Sequence, residues 1–120
     1  MERTALSRTA KSSLLPGTLD MIVLQILHVQ PMHGYAISQQ VARLSHGELA
    51  ADPGSLYPSL DRLQRKGWIR SRWMKSPTGR RARYYTITSS GEQRLGHEVD
   101  AFERFIVALR RVMQGSASKA

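Results

Sequence analysis

Cysteine is absent from this chain of 120 residues, which excludes disulfides, a thiolate nucleophile and cysteine-ligated zinc and fits a reducing, cytoplasmic setting. Long apolar runs are absent too: none approaches the ~20 residues that a membrane-spanning helix needs. Arg3, Arg8 and Lys11 near the N-terminus are followed by no extended apolar region, so a signal peptide is not expected. The histidines show no metal-ligand spacing, and only His97 and Asp100 share a helical face, as an exposed contact. There is no GxSxG elbow, P-loop or GxGxxG, nor any repeat of solenoid period. The sequence thus predicts neither an enzyme nor a cofactor. Acidic residues are scarce as well, 9 against 18 lysines and arginines, for a net charge of +9.

That charge is concentrated. Residues 54–85 hold Arg62, Arg65, Lys66, Arg70, Arg72, Lys75, Arg80, Arg81 and Arg83 against Asp61 alone. A focused excess of this kind is the footprint of a polyanion partner. The same stretch reads as helix, glycine, strand, turn and strand. Asp52 is a candidate N-cap and Pro53 suits a first helical turn. Leu56, Leu60 and Leu63 fall on one face, and Gly67 ends the helix. The segment from Ile69 alternates as a strand, SPTG at 76–79 supplies a turn, and RRARYYTIT at 80–88 returns as a β-branched and aromatic strand.

Upstream, residues 1–13 read as a flexible basic arm, either a frayed terminus or a tail that touches a nucleic acid. A first helix follows from residue 14, with Thr18 as a candidate cap and Leu19, Ile22, Val23, Ile26 and Leu27 as its apolar stripe. Pro31 closes it, and residues 30–34 form a turn. The next helix puts Ile37, Val41 and Leu44 inward, and Leu49 turns into the core from the loop that follows. Beyond the second strand, Thr88 caps a long helix over residues 89–114, leaving 115–120 as a disordered tail. Leu95, Val99, Phe102, Ile106, Leu109 and Met113 repeat at alternating spacings of four and three, an a/d seam. About 25 residues span roughly 37 Å, more than a small core can cover, so the distal seam invites a partner. The fold class is mainly α with a small antiparallel β wing: a winged helix-turn-helix over residues 14–88 plus a C-terminal dimerisation helix.

The pieces GTLDMIVLQIL at 17–27, HGYAI at 33–37, GSLYPSLDRLQRKGWI at 54–69 and RRARYYTIT at 80–88, with Gly91 and Leu95, closely resemble the PadR family of bacterial transcriptional regulators. The likeness covers roughly residues 14 to 95 and is similar to the short members with one C-terminal helix. It implies a homodimeric repressor on a palindromic operator, with the helix from Gly54 in the major groove and the wing on phosphates or the minor groove. By position it places Ser55, Tyr57, Pro58 and Arg62 on or near double-stranded DNA, Tyr35 near a phosphate, and Arg80, Arg81 and Arg83 on the wing. It also suggests a small aromatic effector at the dimer interface, where Phe102 and Phe105, the only aromatics of the last helix, either line a pocket or are a filled seam position and its packed neighbour.

Each residue has a plainer reading. Tyr57, one residue beyond buried Leu56, either meets a phosphate or is a half-buried core tyrosine; Ser55 either offers its hydroxyl and backbone N–H to a phosphate or merely caps the helix. Arg62, Arg65 and Lys66 are either a solvated helix face or DNA contacts, in which case Arg62 is the expected base reader and Arg65 and Lys66, with Lys75, meet phosphates. Arg83 faces either the DNA or an acidic neighbour. Trp68 and Trp73 are expected to pack, and one of Tyr84 and Tyr85 to be core and the other exposed. The alternatives to a regulator are a nonspecific architectural or RNA-binding protein, or a protein-interaction adaptor on a winged-helix scaffold.

Overall fold

The computed structural model describes residues 17–119, and the side chains of 17–115. The expected N-terminal arm lies outside the described residues. The elements are α1 (Thr18–Val29), β1 (Met32–His33), α2 (Gly34–Leu44), α3 (Pro53–Arg65), β2 (Ile69–Lys75), β3 (Arg81–Ile87) and α4 (Ser89–Lys119).

The first helix is the hub. It touches α2, α3, α4 and β3, which is why it buries Leu24 beside the expected Leu19, Val23, Ile26 and Leu27 while Ile22 is only partly covered. Thr18 is its first helical residue rather than its cap. The turn expected after Pro31 contains a two-residue strand instead: Met32 and His33 pair antiparallel with Tyr85 and Tyr84. The sheet therefore has three strands, in the order β1-β3-β2. In α2, His33 Nδ1 accepts the backbone N–H of Ala36 at 3.1 Å, closing the first turn. Ile37 and Val41 point inward as expected, but Leu44 is 58% exposed, because the core ends one turn earlier.

The sequence signals around α3 match the structure closely. Asp52 Oδ1 accepts from the Ser55 N–H at 2.9 Å, Pro53 opens the helix, and Leu56, Leu60 and Leu63 are buried together with Ser59. Strands β2 and β3 pair from Ile69 opposite Ile87 to Lys75 opposite Arg81. Trp68 packs against the core, Tyr85 is buried, and Tyr84 is half-buried, edge-on to His33.

At the head of α4, Thr88 Oγ1 accepts the N–H of Gly91 at 3.1 Å and donates to the Gly67 carbonyl at 2.7 Å. One side chain thus caps α4 and ties it to the end of α3. Gly91 lies so near the Trp68 carbonyl and the Ile87 side chain that a Cβ there would overlap both. The glycine's cost in helix propensity is offset by that close approach. His28 Nδ1 pairs with Glu92 Oε1 at 2.7 Å, pinning the same turn to α1. The helix does not stop near Gln114 but runs to Lys119. Ser116, Ala117 and Ser118 hold no proline, and one glycine at 115 does not end it.

Candidate nucleic-acid interface

Burying Leu56, Ser59, Leu60 and Leu63 leaves Gly54, Tyr57, Pro58, Asp61, Arg65 and Lys66 on the outward surface of α3. Ser55 does not cap the helix: its backbone N–H donates to the Asp52 cap. Arg62 is placed differently from expectation. It follows Ser59 by one helical turn and so faces α1, where Nη2 donates to Asp20 Oδ1 at 2.8 Å and Nε to Oδ2 at 3.3 Å. Hydrogen bonding to Asp20 raises its already high pKa. The guanidinium expected to be free is thus held by a carboxylate, with its side chain still 45% exposed. Arg65 pairs only with Asp61, one turn back on the exposed surface at 3.3 Å, a contact worth a few tenths of a kcal/mol.

The other flank of α3 meets α2 and the wing. Tyr57 is half exposed and its ring lies directly on Gly34, where a Cβ would overlap the hydroxyl. The first turn of α2 and the recognition-helix candidate are thereby brought together, with Tyr35 exposed beside them and its hydroxyl accepting from Gln39 Nε2 at 3.2 Å. A polar notch between α3 and β3 is lined by Tyr57, Leu60, Asp61, Gln64, Arg83 and Tyr85. Burial pushes the Tyr85 phenol above its ordinary pKa, opposed by the charge of Arg83. Gln64 Oε1 accepts from Ser71 Oγ at 2.7 Å, and Ser71 Oγ accepts from Arg83 Nε at 2.8 Å. This relay fixes the angle between helix and wing.

Register puts Ile69, Ser71, Trp73 and Lys75 on one face of the wing with Ile87, Tyr85, Arg83 and Arg81. Near the helices that face is core. Beyond Ser71 the strands outrun the core, and the same face becomes a basic surface. Trp73, expected to pack, is 57% exposed there with the Arg81 guanidinium 5.5 Å from its ring centre. Arg70 and Arg72 lie on the opposite face, and Arg80 at the turn. Among the described residues none of these wing cations is paired with an acid. Lys66 lies over the Trp68 ring at 5.2 Å, with Arg94 at 4.8 Å.

The seam of α4 is divided. Leu95 is buried in the chain's own core, and Val99 packs partly against that core while also lining an open groove. Ile106 is half-buried, and Phe102, Phe105, Leu109, Val112 and Met113 are exposed. Beside the seam, an apolar groove is lined by Met21, Ile22, Ile26, Leu44, Leu49 and Val99, among others. Among the described residues there is no cluster of three metal-ligating side chains and no helix long and apolar enough to cross a membrane.

The sequence model of the transcriptional regulator PadR-like family matches residues 23–97. Protein X of Lysinibacillus sphaericus is 27% identical over 105 residues, covering 88% of this chain and 96% of its own. The transcriptional regulator YqjI of Escherichia coli (strain K12) is 36% identical over 53 residues, 44% of this chain but 26% of its own length. Among solved structures, a PadR-like transcriptional regulator from Bacillus cereus strain ATCC 14579 superposes with a TM-score of 0.74 at 25% identity, over 86% of this chain and 98% of that one. A PadR family regulator from Eggerthella lenta DSM 2243 gives 0.70 at 26% identity, over 93% and 88%. With more than half of its length matched by that model, this chain belongs to the PadR-like family of transcriptional regulators.

Proposed function

We propose that the protein is a cytoplasmic repressor that binds a palindromic operator in double-stranded DNA as a homodimer and catalyses no reaction. The observation that carries this reading is the continuity of one surface. The outward face of α3, the first turn of α2 and the basic face of the wing adjoin through Tyr57, Gln64, Ser71 and Arg83, and the wing's cations lack acidic partners among the described residues. In this reading α3 enters the major groove with Tyr57, Pro58 and Arg65 toward the bases and inner backbone. Tyr35, the Ser55 hydroxyl and Lys66 meet phosphates, and Lys75, Arg80, Arg81 and Arg83 follow the backbone or the minor groove. The wing supplies most of the affinity through released counterions, and an adaptor protein would have no use for it.

The dimer is supported by Phe102, Ile106, Leu109 and Met113, which continue the apolar seam after the protomer's own core has ended. Exposed Leu44 and the groove beside it extend this surface. A two-fold partner would cover both, and a planar aromatic effector would enter at the same place, beside Phe102 and Phe105. Selection of genomic fragments by the purified protein tests the reading. It should enrich an inverted repeat whose half-sites lie about 34 Å apart, or a multiple of that. Enrichment of no sequence would favour the architectural alternative.

A further inference from the structure

The recognition helix carries two guanidiniums, Arg62 and Arg65, and one carboxylate, Asp61. A second carboxylate reaches it from outside. Asp20 of α1 is bonded by both Nε and Nη2 of Arg62, and its Oδ1 also accepts from the hydroxyl of Ser59, which has no exposed surface. The three leucines of α3 already hold the helix on α1, and Ser59 alone would satisfy one Asp20 oxygen. The two-pronged hold on Arg62 adds something different. It neutralises a cation whose side chain is still 45% exposed, on the edge of the surface read as DNA-binding, while the Asp20 side chain is 21% exposed. With Asp20 counted, acids and guanidiniums on α3 balance, whereas the wing bears uncompensated charge.

We propose that Asp20 is a positioning residue that keeps Arg62 off the nucleic acid, so that the recognition helix adds little sequence-blind phosphate attraction and the wing supplies most of it. The inference rests on the DNA-binding reading. It assigns Asp20 a part in specificity: a released Arg62 would contact phosphates on every duplex and narrow the gap between operator and random DNA.

The test is the salt dependence of binding to a mixed-sequence duplex of about three helical turns, measured by fluorescence anisotropy with the full chain. Asp20→Asn preserves an acceptor for Ser59 but removes the charge that holds Arg62. The expected result is a slope of log K against log salt steeper by about 0.9, one additional phosphate contact. Adding Arg62→Gln should return the slope to the wild-type value, and Arg62→Gln alone should leave it there. A merely structural role for Asp20 would lower the melting temperature without moving the slope, and that outcome overturns the inference. Should Asp20→Asn fail to fold, Arg62→Gln alone decides: a slope shallower by about 0.9 would mean that Arg62 already contacts DNA. A wild-type chain that binds no duplex at low salt would overturn the nucleic-acid reading itself, whereas unchanged slopes in a protein that does bind would overturn only the assignment of Asp20.

Discussion

Trp73 stands on the wing with most of its ring in solvent and Arg81 stacked over it. A large apolar surface flanked by cations, with no core beside it, suits the sugar edge of a DNA groove. Trp73→Ala is therefore expected to leave the unfolding free energy within about 0.5 kcal/mol of wild type while weakening duplex binding by on the order of 1 kcal/mol. Urea unfolding and anisotropy titration on the same preparation check this, and a large loss of stability would return Trp73 to the packing role. The sequence pointed to packing because a strand tryptophan near a small core is commonly buried. What it did not reveal is that β2 outruns the core after Ser71. The ion pair of Arg62 was hidden for a related reason: its partner Asp20 lies 42 positions away, and periodicity within α3 says only which side a residue is on. Asp52, by contrast, acts on a group three residues away, and such local chemistry was readable from the order of residues.

Among elements, α4 offers the sharpest test, because two of its glycines are predicted to behave oppositely. By helix propensity alone either should gain up to about 1 kcal/mol when changed to alanine. Gly96 has open space around it, so Gly96→Ala should realise that gain. Gly91 presses on the Trp68 carbonyl and Ile87, so Gly91→Ala should instead destabilise, by roughly 1–3 kcal/mol. Denaturant midpoints of the two variants measure the contrast, and equal stabilisation would mean that α4 does not sit this close to the sheet. Helices α1, α2 and α3 were legible because each has apolar residues at helical spacing and a recognisable start or stop. Strand β1 was not, since two residues are too few to show alternation and its partner strand is some fifty residues away. Leu44 kept the helical spacing, yet periodicity cannot say where the interior ends.

For the whole molecule, the long helix and the basic face answer different needs. Helix α4 holds 31 residues, about 46 Å at a rise of about 1.5 Å each, and its own core engages it only as far as Val99. Ile106→Glu with Leu109→Glu should give a folded monomer that keeps weak nonspecific DNA binding and loses most operator affinity, since two half-sites would no longer be linked. Light scattering checks the mass, and a variant that stays dimeric would show that the seam past Val99 is not the interface.

The central claim is that the wing is an electrostatic grip on DNA. Its most direct test is the salt dependence of duplex binding by the wild-type chain and by the variant with both Arg80 and Arg81 changed to alanine. The expected result is a similar loss of affinity on operator and random duplexes, with the slope of log K against log salt shallower by up to about 2. An unchanged slope and unchanged affinity would contradict the account.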